Sequence, residues 1–416
     1  MLPDENTQDY AGEADALHLV EQLVHPHGPA LLELYFQVVH PSYPIIQKHL
    51  FVERYHNGVR NFSPALLAGM YILALNWWSR NPELASCSKP DAARLEAIAM
   101  KALTAAMERP KLSTVQAGLL LLQRPEADSW SLTTQLVAIG QELALHLDCS
   151  SWSVPLWERA LRKRIAWALY MQDKWSSLIH GRPSHIFIAN WAVKPIIGEE
   201  DFDERGDGYD VRQEETEEEY EENHRGRILF VQMISLTQIM AEVMDTFYTQ
   251  TAIHDFANAG GRTTELILAR AKPVQIKLRR WYENLPAEVK MQAPEKSKLT
   301  STGTFAAVCS KAFHSQSRRL LASCILCHRN HPPSPYRTVA GRYKPQLVRS
   351  LHVPQCRQDP PHLRDGLCKS AQTRAPPGIL VFRLQGQLYP HWHLWIASVG
   401  HVARQGRGRV LQHPIA

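Results

Sequence analysis

The stretch VPLWERALRKRIAWALYMQDKWSSLIHGRPSHI, residues 154–186, decides the fold class of this chain. After Pro155, apolar residues recur at spacings of three, four and seven, the period of one helix face: Leu161, Ile165, Ala168, Trp175 and Ile179. Gly181 then stands where helix C-caps favour glycine, and the Arg182-Pro183 pair cannot readily prolong a helix. The stretch therefore predicts a long amphipathic helix with a defined end.

Shorter helices are predicted on the N-terminal side of this one. Their signals are an apolar run over 31–39 that stops at Pro41, a second run that starts at Ser63-Pro64, helix starts at Asp91 and Ser113, and an apolar segment over 132–147. Alternating strand patterns are scarce. The sequence therefore predicts an all-α fold, an irregular array of many helices.

Composition divides the chain into segments. Residues 1–28 are polar and aperiodic, which predicts a disordered N-terminal tail, and the helical domain is expected over 29–303. Within it, residues 199–222 hold fourteen acidic residues against two arginines, so a flexible acidic insert is predicted over 199–226. Helical patterning returns over 227–249 and 263–282, with Pro286 behind it.

The C-terminal segment 304–416 has a different character. Its last 95 residues contain eleven prolines, eight histidines and four of the seven cysteines, without a sustained helical or strand period. We expect a poorly ordered, non-native tail.

Composition also bears on compartment and partners. A net charge of +5 is a weak guide to partners and does not by itself argue for nucleic acid. Seven thinly spaced cysteines suit a reducing compartment, since most of them are expected to be free thiols. The start of the chain lacks the pattern of a secretory signal, and no uncharged apolar run reaches about 18 residues. We expect a soluble intracellular protein without a membrane partner.

Five blocks of this sequence, taken together and in order, resemble the regulatory "middle homology" domain of fungal zinc-cluster transcription factors. They are YFQVVHPSYPII (35–46), SPALLAGMYILALNWWS (63–79), RPKLSTVQAGLLLLQR (109–124), SWSLTTQLVAIGQELALHLDCS (129–150) and the block 154–186 quoted above. NWAVKP (190–195) and the acidic insert behind it extend the resemblance, which covers roughly residues 29–303.

The resemblance implies an α-helical domain that modulates a nuclear activator of RNA polymerase II transcription. Its implied partners are transcription proteins or co-activators, and a homo- or heterodimer is compatible with it. Within that family, the sequences of these blocks most resemble those of the TamA-type activators of allantoin, GABA and nitrogen catabolism. Control of nitrogen-source catabolism is therefore the expected function, and an enzyme is not.

In that family DNA is bound through an N-terminal cluster of six cysteines that holds two zinc ions. Such a cluster needs closely spaced cysteines, and no cysteine precedes Cys87. We therefore expect no zinc, no other cofactor and no DNA-contacting residue in this chain, and DNA binding only through the missing cluster.

The tail departs from the family in a way that suggests a frame shift. Residues 322–340 and 389–400, read one nucleotide later with freely chosen codons, can spell apolar helical segments that resemble the family there. In the printed frame, Cys324-Ile-Leu-Cys327-His328 matches c-type haem attachment, and with His331 it has metal-like spacing. Coincidence is the favoured interpretation of this motif.

Five residues of the long helix and its end are singled out as a regulatory or structural signature: Trp157, Arg164, Asp173, Arg182 and His185. The cations among tryptophans suggest a nucleic-acid surface, but we favour tryptophans in the core and arginines that lie on a solvated face or pair with acids such as Glu158 and Asp173. Arg182 and His185 suit an effector pocket or, by default, a structural brace, with Asp173 pairing with Arg182 across the loop.

Two alternatives stay open at this stage. The second interpretation is a helical small-molecule-binding protein or uncharacterised enzyme, supported by the abundant tryptophans and the polar residues at helix ends. Catalysis is the poorer hypothesis, because the sequence contains no phosphate loop, nucleophile elbow or His-Glu-x-x-His helix. The acidic insert suits an activation or docking segment, although its few aromatic residues favour a solvated linker.

Overall fold

The computed structural model describes residues 8–57, 62–124, 129–202 and 216–289. Within these ranges the chain forms twelve α-helices and no strand. They are α1 Gln8–Val24, α2 Gly28–Val38, α3 Lys48–His56, α4 Pro64–Leu75, α5 Pro82–Ala85, α6 Ala92–Ala106, α7 Leu112–Leu121, α8 Ser129–Glu142, α9 Leu156–His180, α10 Glu217–Phe247, α11 Gln250–Asn258 and α12 Thr263–Glu283. The all-α prediction is confirmed.

Helix α4 is the centre of the main core. All twelve of its residues are buried, and it packs against α2, α6 and α7. The helix begins where the sequence predicts, because the Ser63 hydroxyl accepts a hydrogen bond from the Leu66 amide and Pro64 is the first residue of the first turn. Since apolar side chains surround this helix on every side, it has no amphipathic stripe and cannot stand at the surface.

Helix α9 packs against α7 and α8 and also against α10, so it links the N-terminal helices with the C-terminal ones. It ends as predicted at Gly181, whose φ of 60° and ψ of 38° lie in the left-handed region that favours glycine. The predicted segment over 132–147 is shorter as a helix. It ends at Glu142, and Ala144 then takes a positive φ of 57°.

A second, smaller apolar cluster lies at the C-terminal end of α10. It unites Val243 and Phe247 with apolar side chains of α11 and α12: Ala252, Phe256, Ile267, Ala271 and Val274. An 18-residue window of α10 is apolar enough to resemble a membrane span by composition, but half of it is buried inside the fold. That burial is typical of a core helix in a globular domain.

The prediction of a disordered tail over 1–28 was wrong for the residues that form α1. Leu17, Val20 and Val24 recur at helical spacing, and their side chains are buried in the main core, where α1 packs against α4 and α6. These three apolar residues are spaced by polar ones, so the segment looks polar on average while one face is apolar.

The prediction of a flexible insert over 199–226 was wrong at both of its ends. Residues Glu199–Phe202 form a 3-10 turn in which Asp201 and Phe202 are buried. The acidic run 217–222 forms the first turns of α10, where Thr216 and Glu219 make a capping box. Carboxylates favour the positive end of a helix dipole, so acidic composition here promotes a helix. Residues 203–215 lie outside the described residues.

The remaining domain predictions lie largely outside the described ranges. The structure reaches Val289, so the proposed domain end at residue 303 is not tested. The non-native tail 304–416, its frame shift and the Cys324–His328 motif also lie outside the described residues.

Candidate functional site

The first node of the candidate site is Arg164, in the middle of α9. Its side chain is fully buried, so of the two predicted arrangements for these arginines, a solvated face or pairing with acids, the solvated face was wrong for Arg164. The guanidinium donates hydrogen bonds to the Pro44 carbonyl (2.7 Å), the Asp201 carbonyl (2.8 Å) and Oε1 of Gln47 (3.1 Å). Its planar fork of donors suits three acceptors from two segments, so Arg164 ties the segment 44–47 and the 3-10 turn Glu199–Phe202 to α9.

The Asp201 carboxylate completes this node from the other side. It forms an ion pair with Lys163 and accepts the Ile197 amide at 3.0 Å. Phe202 lies beneath both Arg164 and Arg227, with ring centroid distances of 6.0 and 5.7 Å. The start of the acidic stretch is thus a structural part of the core.

The second node is Asp173, two and a half turns further along α9. The carboxylate is fully buried, and it accepts three hydrogen bonds of 2.9 Å, from Nδ1 and the backbone amide of His185 and from the backbone amide of Ile186. The predicted pairing of Asp173 with Arg182 was therefore wrong. A left-handed Gly181 turns the chain back so that His185, and not Arg182, faces the carboxylate.

Lys174 adds a cation next to this carboxylate. Its ammonium group donates to Ser184 and to the Ile186 carbonyl (2.5 Å), and burial lowers the pKa of Lys174. Ile186 is consequently held through both its amide, by Asp173, and its carbonyl, by Lys174. These bonds make the reversing segment after α9 a braced loop.

Trp130 of α8 covers the outer side of this brace. Its ring lies 4.4 Å from the ring of His185, and the Arg182 guanidinium lies over it at 5.2 Å. Nε2 of His185 is 2.9 Å from Oγ1 of Thr134, so His185 connects α8 with α9. Trp157 is half-buried at the start of α9 and belongs to neither node.

An Asp–His–hydroxyl series of this kind is also found in nucleophilic active sites. Here the Thr134 hydroxyl lies within a helix and donates to the Trp130 carbonyl one turn earlier at 2.9 Å. A shallow, solvent-open depression lies elsewhere, beside Leu147, Asp148 and Lys194. Both nodes are arranged to hold backbone segments rather than a substrate.

The braced loop presents two apolar side chains to solvent. Phe187 and Ile188 directly follow the anchored Ile186 and are 68% and 49% exposed. The chain is fixed again at Ala192, whose amide donates to the His146 carbonyl at 2.8 Å, and at Lys194, whose carbonyl accepts Nε1 of Trp167 at 2.9 Å. Large exposed apolar residues on a fixed support are typical of a protein contact surface.

The sequence did not single out Lys174, Thr134, Phe187 or Ile188. The short apolar run Ile186-Phe187-Ile188 after the helix end is the local signal, and three residues are too few to distinguish a contact surface from a buried segment. Among the described residues no three His, Cys, Asp or Glu side chains come together as metal ligands, and Cys87 and Cys149 lie in different loops.

Comparison with known proteins finds relatives that are named as activators or regulatory proteins. The transcriptional activator protein DAL81 of Saccharomyces cerevisiae is 37% identical over 332 residues, which cover 72% of this chain and 34% of that protein. An uncharacterized transcriptional regulatory protein of Schizosaccharomyces pombe is 31% identical over 251 residues, 59% of this chain and 36% of that protein. The acetamidase regulatory protein of Aspergillus oryzae is 29% identical over 198 residues, 44% and 24% of the two chains.

This chain thus spans about a third of the length of the first two relatives. No solved structure matches it. The model of the fungal specific transcription factor domain matches residues 32–282, a range that runs from α2 to the end of α12 and contains both polar nodes. The chain belongs to the family of proteins that carry the fungal specific transcription factor domain, and the helical array is its regulatory domain.

Proposed function

We propose that this domain acts in the nucleus as the partner-contacting part of a transcriptional activator and that it is not an enzyme. The activator's genes are those of nitrogen-source catabolism, and its partners are transcription proteins or co-activators. DNA is reached through a zinc cluster that these described residues do not contain. The names of the relatives support regulation of transcription, and the acetamidase regulator is named for an enzyme of a nitrogen-containing compound.

One observation supports a contact role above the others: Phe187 and Ile188 are exposed although the loop that carries them is braced on both sides. A partner that covers these side chains gains the free energy of apolar burial without the entropic cost of ordering a mobile loop. The braces at Asp173 and Arg164 serve this role by fixing the loop and α9 to the core. In this proposal Trp157, Arg182 and His185 are structural supports.

The contact role is tested with the double variant Phe187→Ser/Ile188→Ser in the genomic copy. We expect inducible transcripts of nitrogen-catabolic genes to fall roughly tenfold, as loss of an interface hot spot does. Protein abundance and melting temperature should not change, because both side chains are exposed.

The matched control is Leu156→Ser/Ile197→Ser, which removes two other apolar side chains that are 74% and 86% exposed. We expect the control to retain normal induction. If induction survives in the first variant, or falls equally in both, the loop is not the contact surface. If a strain without this chain induces the same genes normally with GABA as the nitrogen source, the assignment to nitrogen catabolism fails.

A further inference from the structure

The outer face of α12 combines apolar and cationic side chains in one stripe. Leu268, Lys272, Ile276 and Arg279 follow one another at spacings of four, four and three, so they lie on one face of the helix. All four are exposed, and Leu268 and Ile276 are 50% and 40% accessible. The opposite face, with Ile267, Ala271 and Val274, is the one that packs onto the domain. We call the outward residues the α12 stripe.

The cations of the stripe differ from the other cations of this region. Arg270 pairs with Asp255, and Lys277 pairs with Glu242. In the part of the chain that the structure describes, Lys272, Arg279 and the neighbouring Arg280 have no acidic partner within ion-pair distance. A helix face that exposes apolar side chains beside cations without an ion-pair partner is complementary, in charge and in polarity, to an acidic helix that carries an exposed apolar residue.

The first turns of α10 have that chemistry. Glu217, Glu218 and Glu221 are exposed, and the same turns carry Tyr220, which is 46% exposed. No ion pair joins these three carboxylates to another described residue. The chain therefore contains both halves of a complementary helix pair. We call this end of α10 the acidic turn.

The two surfaces of one molecule are too far apart to meet. The ion pair between Lys277 and Glu242 places the C-terminal half of α12 alongside residue 242 of α10. Glu217 is 25 residues earlier on the same helix, which is about 37 Å at 1.5 Å per residue. The acidic turn and the stripe thus face different neighbours.

The chain beyond α12 does not supply the missing acid either. Residues 290–416 contain nineteen Lys and Arg against three Asp and Glu, which is the same sign of charge as the stripe. Like charges repel, so charge selects against this segment as the occupant. Among the surfaces that the structure describes, the acidic turn of a second molecule combines carboxylates that form no ion pair with an exposed aromatic ring, so it complements the stripe.

We infer that the α12 stripe binds the acidic turn of a second copy of this chain. Lys272, Arg279 and Arg280 face the carboxylates of Glu217, Glu218 and Glu221, while Tyr220 packs against Leu268 or Ile276. Because exposed ion pairs contribute little individually, the association is weak and salt-dependent.

The test is sedimentation of the 416-residue chain at about 50 mM and about 500 mM salt, where the Debye length shrinks severalfold. We expect a concentration-dependent dimer whose Kd rises roughly tenfold with salt. Lys272→Glu/Arg279→Glu should weaken the dimer at least about tenfold at low salt, and Glu217→Lys/Glu218→Lys/Glu221→Lys should do the same. A mixture of the two variants should associate again, since each supplies the charge that the other has lost.

The control is Arg94→Glu/Lys101→Glu on α6, which are also exposed, also seven residues apart and change the net charge equally. It should dimerise like the original protein. The inference is overturned if the chain is monomeric at low salt, if either charge-reversed variant dimerises normally, or if the mixture does not associate. Binding of an oligonucleotide that is lost in Lys272→Glu/Arg279→Glu, with no dimer in any sample, would assign the stripe to nucleic acid instead.

Discussion

Asp173 and His185 are twelve residues apart, and the fully buried carboxylate of the first accepts both the Nδ1–H and the backbone amide of the second at 2.9 Å. The pair closes the turn after α9 and thereby sets the position of the next residues. Local stability and the orientation of the exposed Phe187 are therefore consequences of one buried side chain.

Asp173→Asn should destabilise the fold, because the amide group presents two donors where three N–H groups need acceptors. We expect a loss of about 3 kcal/mol in the free energy of unfolding, measured by urea denaturation. Asp148→Asn is the control, since Asp148 pairs with Lys194 at the surface and its loss should be far smaller. Equal losses in the two variants would contradict the role of the buried node.

Arg164→Lys should also be costly, although it keeps the charge. A lysine cannot reach the acceptors on residues 44, 47 and 201 with one planar fork, so at least one carbonyl is left without a donor. We expect a loss of about 3 kcal/mol by the same measurement. Arg159→Lys, at a half-buried guanidinium that bonds to the Val154 and Ser150 carbonyls, should lose less.

Gly226→Ala tests a close approach between α10 and the turn His40–Ser42. A Cβ at this position of α10 would lie 2.1 Å from the Pro41 carbonyl oxygen, so α10 and the turn His40–Ser42 must separate. We expect a loss of about 3 kcal/mol. The control Gly12→Ala in α1 meets nothing within 4 Å and should stabilise the chain by about 0.5–1 kcal/mol, because alanine favours a helix.

His40 should make stability depend on pH. Burial, and then the charges of Lys48, Arg164 and Arg227, lower its pKa to about 3, although its bond to the Ile46 carbonyl acts the other way. The unfolded chain, with a histidine pKa near 6.5, binds the proton first as the pH falls, so stability decreases below about pH 6.5. At pH 5 the loss is about 2 kcal/mol.

The check is the difference in unfolding free energy between pH 7 and pH 5. His40→Gln keeps a side-chain donor but does not titrate, so the difference should shrink by about 2 kcal/mol in that variant. His254→Gln, at an exposed histidine on α11, should leave the difference unchanged. The same pH dependence in all three proteins would contradict a neutral, buried His40.

Much of the helical fold could be predicted because local residues, such as capping side chains and glycines, determine where its helices begin and end. Ser63 and Asp91 cap helices α4 and α6 through their own side chains, and Gly181 takes the left-handed conformation. The 3-10 turn Glu199–Phe202 could not be predicted in this way. Its order comes from Lys163 and Arg164, nearly forty residues away, and composition contains no information on such a long-range contact.

In the candidate site, too, local features could be predicted from the sequence and long-range contacts could not. Arg182 and His185 were recognisable because they follow a helix end, but their partners were not. The Asp173 carboxylate bonds to His185 rather than to Arg182 because of the direction in which the chain leaves Gly181. Both residues follow the helix end within four positions of Gly181, so sequence spacing alone cannot choose between them.

The three acceptors of Arg164 also set an order of events while the protein is being made. Residues 44 and 47 leave the ribosome well before Arg164, whereas Asp201 follows it by 37 residues. Until that turn has been synthesised, α9 carries a guanidinium that cannot be buried in full without leaving donors unpaired. The nascent domain therefore cannot close around α9 until translation has passed the start of the acidic stretch.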